Sequence, residues 1–159
     1  MGSDHAAPPS QSLNRLAASA TTHCLTGCAI GEVLGLVIAT TLDWGNVASI
    51  VVAIPLAFFF GYSFTAVPLL RSGLAVAAVV PIALAADTFS ITVMEIVDNA
   101  IVLVIPGAMT AGLADLLFWG SLAFALAVAW VAAFPVNRWL ISKGRGHAVM
   151  HAHHGPSLP

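Results

Sequence analysis

The sequence predicts an all-α membrane protein, a polytopic transmembrane helical bundle of four spans with both termini cytoplasmic. Three observations carry this. Only 8% of the 159 residues are charged and 59% are apolar, with a mean hydropathy of +0.96, whereas a water-soluble domain carries roughly 25% charged residues. The apolar residues fall into four runs, each with the roughly 20 residues that a helix needs to cross a bilayer. All five Lys and Arg stand near the ends of those runs, at places that a four-span topology gathers on one side. The same figures exclude an ordinary soluble globule and a disordered chain. They also exclude a nucleic-acid partner, because five cations cannot form a basic stripe.

The chain divides as follows. Residues 1–12 are Pro, Ser and Ala without periodicity and read as a flexible leader. The first span covers about 16–42, with Thr22 to Thr41 as its core and a helical lead-in from Leu13. It is longer than a signal-peptide apolar region and carries Cys24, Cys28 and Glu32, so it stays in the chain as a span. Asp43-Trp44-Gly45-Asn46 makes a turn with an interface-favouring Trp. The second span covers about 47–70, its Pro55 tolerable if neighbouring groups satisfy the freed carbonyl. Arg71-Ser72-Gly73 turns the chain, and residues 74–105 read as one long third helix, about 48 Å if straight. Pro106-Gly107 stops it, a loop follows, and the fourth span covers about 115–141. Residues 142–159 form a polar, His-rich tail, and the four-helix domain is 13–141.

Orientation follows from charge. Arg15, Arg71, Arg138, Lys143 and Arg145 share one side of a four-span chain, whereas an odd number of spans would split them. That side is expected to be the cytoplasm.

Glu32, Asp87, Glu95 and Asp98 lie within apolar stretches that hold no Lys or Arg to pair with them. A charge at a helix centre opposes insertion by about 2.5–3.5 kcal/mol, so such a group is protonated, bound to a cation or turned toward water. Counting about 1.5 Å per residue, from Thr22 for Glu32 and from Gly73 for Asp87, puts both near mid-membrane and suggests that they face each other. The same count places Glu95 and Asp98 at the outer interface, in a vestibule. Asp87, Thr88, Glu95, Asp98 and Asn99 lie on adjacent stripes of the third helix and, with Glu32, form an expected proton or cation path. The Glu95/Asp98 pair suits a divalent ion, but also a helix cap or a water site.

Cys24, Cys28 and Glu32, at i, i+4 and i+8, form a ladder down one helix face. Two thiols one turn apart can share a soft metal, copper or zinc, with His23 as a further ligand. They can equally be a redox pair, although parallel side chains fit disulfide geometry poorly, or simply small buried packing residues. Met94 is core filler or a thioether ligand. In the tail, His147, Met150, His151, His153 and His154 form a tract of the kind that binds metal, or a solvated neutral end. Gly27, Gly31 and Gly35 form a small-residue run that admits a close helix neighbour. Four helices are few for a transporter, so a homo-oligomer through this glycine face is expected.

The strings THCLTGCAIGE (Thr22 to Glu32), MEIVDNA (Met94 to Ala100), FWGSLA (Phe118 to Ala123) and FPVNRWLI (Phe134 to Ile141), with the His-rich end, resemble a family of small bacterial membrane proteins known only as a domain of unknown function. The resemblance covers nearly the whole chain after the leader. It implies a multi-pass protein of the bacterial inner membrane and supplies no activity.

The residues themselves lead first to an integral membrane protein that handles a cation, by binding or transport of a soft transition metal, copper favoured, with proton coupling. A thiol or quinone-linked oxidoreductase using Cys24 and Cys28 is the enzymatic alternative, and a non-transporting scaffold or assembly factor is the third. The sequence holds no hydrolase triad, phosphate-binding Gly loop or zinc-hydrolase helix motif.

Overall fold

The computed structural model describes residues 12–143, which form four α-helices: α1 (Leu13–Thr41), α2 (Asn46–Arg71), α3 (Val76–Val104) and α4 (Leu116–Ser142). No strand occurs among the described residues. Most of the leader, and the tail with His147, Met150, His151, His153 and His154, lie outside the described residues. Every helix is long and apolar enough to span a bilayer, and the protein is a multi-pass membrane protein. Phe59, Phe89, Ile96, Phe124 and Val131 face outward, as lipid-covered side chains do.

The expected spans match these helices to within three residues at each end. Pro55, Pro68, Pro81 and Pro135 lie inside helices that continue through them, so the third span is one helix. It ends where Ile105 turns extended and Gly107 takes a left-handed φ of 81°, which glycine adopts without a Cβ clash. The following segment is more than a plain loop: Ala108–Thr110 form a 3-10 turn. Asp115 then folds its carboxylate back to accept the Gly112 N–H at 2.7 Å, fixing the start of α4.

The helices run up, down, up, down, and small residues let them approach. On α1, Gly27 lies against Gly61, Gly31 against Ala57 and Gly35 against Ala53, an antiparallel register with α2. A Cβ on Gly27 would come within 2.6 Å of the Gly61 Cα. The glycine run is therefore spent on packing α1 against α2 within the chain. This corrects the expectation that it forms an oligomer interface, since no room remains on that face for a second copy. Small or short side chains repeat every fourth position on α2 (Ala53, Ala57, Gly61, Thr65) and α4 (Ser121, Ala125, Ala129, Ala133, Asn137), and all of them are buried.

Helices α1 and α3 are parallel and level with each other. Each has 29 residues, and Cys24 meets Asp87 at a numbering offset of 63, the same offset that separates Leu13 from Val76. Across the bundle, Asn137 of α4 meets Thr21 of α1 and Ser90 of α3, and on the surface the Arg138 Nε donates to the Asn14 Oδ1 at 2.8 Å. Arg15, Arg71, Arg138 and Lys143 thus gather at one end of the bundle, and Asp43 and Asp115 stand at the other.

Candidate functional site

The alternation of small and polar residues on the buried stripes leaves a line of polar side chains through the middle of the bundle. It begins at the cationic end. Asn137 Nδ2 donates to Thr21 Oγ1 at 2.9 Å and to Ser90 Oγ at 2.8 Å, which ties α4 to α1 and α3. Interhelical bonds of this kind average about 0.6 kcal/mol each in a membrane. At the same level, between Thr21 on α1 and Ser90 on α3, the Cys24 Sγ donates to the Asp87 Oδ1 at 3.6 Å, with Ser90 beside the thiol and Thr65 beside the carboxyl.

The next level joins Cys28 to Glu95, which lie side by side. Asn99 donates to the Glu95 main-chain oxygen at 2.9 Å and, at 3.5 Å, to Glu95 Oε2. Above them the Glu32 carboxyl adjoins Asp98. Asp87, Glu95 and Asp98 are only 1%, 5% and 2% exposed, and Glu32 is half-buried with both carboxyl oxygens enclosed.

Five oxygens on this line have no hydrogen-bond partner: both of Glu32, Asp87 Oδ2, Glu95 Oε1 and Asp98 Oδ1. The bundle interior offers no Lys or Arg to neutralise them. Two adjoining carboxylates are both acceptors, so Glu32 and Asp98 complete each other only when a proton or a cation lies between them. Buried charge without such a partner costs several kcal/mol, and the thread is held in place by packing on every side.

At the end opposite the arginines the thread opens. Glu32 and Asp98 line a cavity among the helix ends, with Asn46 and Ser49 of α2, Asn99 of α3 and Ser121 of α4. The centres of water-sized molecules reach about 90 Å³ of it, room for several waters. The 3-10 turn borders the cavity through Ala108 and Met109.

This geometry corrects the expected pairing. Glu32 faces Asp98, and Asp87 faces Cys24, so Glu32 and Asp87 are not partners. The depth count began at Thr22, but α1 begins at Leu13, which shifts every α1 residue outward relative to α3. Glu95 and Asp98 are enclosed by the bundle, and it is Asp98, with Glu32, that reaches the vestibule. Asp98 adjoins Glu32, and Glu95 lies close to both.

The sulfur residues divide. Cys24, Cys28 and Met94 belong to one buried cluster with Ala57, Ile91, Ala129 and Ala133. His23, one residue from Cys24 and so about 100° around the helix, points to the exposed side, where its ring meets Phe64 edge-on and its Nδ1 lies 3.1 Å from the Ser19 main-chain oxygen. It lies close enough to Asp87, the partner of Cys24, to interact with it electrostatically. Among the described residues no three His, Cys, Asp or Glu side chains converge on a metal-sized point. Thr88 is likewise off the thread, its hydroxyl 2.9 Å from the Tyr62 hydroxyl at the α2–α3 contact.

Thr21, Thr65, Ser90, Asn137 and the cavity residues Asn46, Ser49 and Ser121 are the members that sequence reading missed. The fourfold spacing Ala53, Ala57, Gly61, Thr65 and Ala125, Ala129, Ala133, Asn137 is the signal that would have placed Thr65 and Asn137 on the packed faces.

The family described as domain of unknown function (DUF4396) matches residues 13–146, and the chain belongs to it. No curated protein and no solved structure matches the chain.

Proposed function

We propose that this member of a family of unknown function handles a soft transition metal cation, copper or zinc, at its buried sulfurs, and exchanges it for protons carried by the acidic thread. The observation that carries the reading is that each buried thiol has a buried carboxyl beside it, Asp87 for Cys24 and Glu95 for Cys28, with no Lys or Arg in the bundle interior. Metals bind thiolates, so a thiol must give up its proton when metal arrives. For a two-coordinate monovalent ion, two S–H groups and one M⁺ become one bis-thiolate complex and two released protons. The adjacent carboxylates accept those protons, and Glu32 and Asp98 pass them to the cavity. Met94, in the same buried cluster, is available as a third sulfur donor.

The thread is open to the cavity at one end; at the other, closed end Asn137, bonded to Thr21 and Ser90, packs at the level of Cys24 and Asp87, each 1% exposed. The excess of Arg and Lys at the closed end supports a cytoplasmic location for both termini, in a bacterial inner membrane. A homo-oligomer, if four helices do not suffice for transport, forms through a face other than the glycine run. The redox and scaffold readings have no comparable support, because neither uses the unpaired acids.

Silver(I) is a redox-silent probe for the sulfur site. The purified full chain is expected to bind it with about one ion per pair of thiols, and Cys24→Ser/Cys28→Ser to lose that binding; equal binding by the variant overturns the reading.

A further inference from the structure

We infer that the outer cavity is a second cation site, chemically distinct from the sulfur cluster, and that it takes a hard, oxygen-seeking divalent cation. The inference rests on reading the thread as a cation route, and it concerns a part of that route which the thiols do not reach. Two carboxyls meet there. Asp98 is 2% exposed, its Oδ1 has no hydrogen-bond partner, and it lines the cavity; Glu32 lines the same cavity with both oxygens unpartnered. A pair of ionised acids in a poorly solvated site is neutralised by one divalent ion.

The remaining polar lining is also built of oxygen ligands. Ser121 Oγ spends its proton on the Phe118 carbonyl at 3.0 Å, which leaves its lone pairs free to accept or ligate. Asn99 spends its N–H groups on Glu95, so its carbonyl oxygen is the end available to the cavity. Asn46 and Ser49 add an amide and a hydroxyl from α2. Carboxylate, carbonyl and hydroxyl oxygens with water suit Mg²⁺, Ca²⁺ or Mn²⁺, whereas thiolates and thioethers select soft ions. About 90 Å³ is enough for such an ion with part of its water shell.

Manganese(II) alone, titrated into the full chain in detergent and read by its electron paramagnetic resonance signal, tests the site, with silver(I) titrated into a parallel sample. Wild type is expected to bind one Mn²⁺ saturably and to release it to excess Ca²⁺. Glu32→Gln and Asp98→Asn are each expected to weaken binding at least about ten-fold, the loss that even an outer-shell change causes. Ser49→Asp, which adds a carboxylate at the cavity, is expected to tighten it, an outcome that misfolding cannot produce. Absence of saturable Mn²⁺ binding, wild-type binding by Asp98→Asn, or no tightening in Ser49→Asp overturns the inference. Silver binding without manganese binding sinks this site and leaves the sulfur reading standing; manganese binding without silver binding does the reverse.

Discussion

Gly27→Ala tests the way the bundle is held together. The added Cβ would lie 2.6 Å from both the Cα and the N of Gly61, where carbon atoms normally stay about 3.5–4.0 Å apart. Both partners are backbone, so no side chain can rotate away, and α1 must move from α2 by about 1 Å locally. The contacts of Gly31 with Ala57 and of Gly35 with Ala53 lie on the same stripe and loosen with it. Overpacking of this kind costs about 1–3 kcal/mol. Replacing a helical glycine by alanine returns about 1 kcal/mol, so the net loss against wild type is about 0–2 kcal/mol, while the deficit against an alanine placed in open space is the full 1–3 kcal/mol. At about 2–4 °C per kcal/mol in a chain of this size, Gly27→Ala melts up to about 8 °C below wild type. Gly120→Ala is the control, because nothing lies within 4 Å of a Cβ there; it keeps only the helix gain and melts at or above wild type. Thermal melts of both variants in the same detergent, followed by circular dichroism, give the comparison. Gly27→Ala melting as high as Gly120→Ala would refute the close α1–α2 packing.

Two further outcomes follow from the same structure. Asn137→Leu keeps the number of side-chain heavy atoms and the branch at Cγ but removes both bonds to Thr21 and Ser90, so it should cost about 1 kcal/mol at the membrane average per bond; an unchanged melting temperature would mean that these bonds do not tie the helices. A green fluorescent protein fused to the C-terminus should fluoresce and an alkaline phosphatase fused there should be inactive under the proposed orientation, which sets the basic ends of α2 and α4 in the cytoplasm; an active phosphatase would reverse that orientation.

The helices were legible because their signals are local. Apolar runs of span length and charged or glycine-containing breaks mark all four, and the prolines mislead little where neighbouring groups satisfy the backbone. The depth of each residue was not legible, and the reason is specific. Thr21, Thr22 and His23 look like the polar edge of a span, but Thr21 and Thr22 donate to the carbonyls of Ala17 and Ala18 at 2.7 and 2.9 Å and so hide their hydroxyls inside the helix. Helix α1 therefore runs back to Leu13, and the true neighbour moves by about two turns for Asp87 and about three for Glu32. The acids themselves stood out, since four carboxyls in apolar runs have few innocent explanations. Thr65, Ser90 and Asn137 did not, because a single hydroxyl or amide in a span is common; the fourfold run of small residues marks the stripe of Thr65 and Asn137, and Ser90 has no such signal. The glycine run was read correctly as a packing face, and its partner was the next helix of the same chain.

In the proposed function, buried thiols and buried acids form one exchange route, in which metal enters as protons leave. The number of protons released per silver ion bound, measured in weakly buffered detergent solution with the full chain, tests it most directly. About two protons per ion are expected in wild type, with loss of both binding and release in Cys24→Ser/Cys28→Ser. Silver that binds without proton release, or release that persists in the double variant, would contradict it.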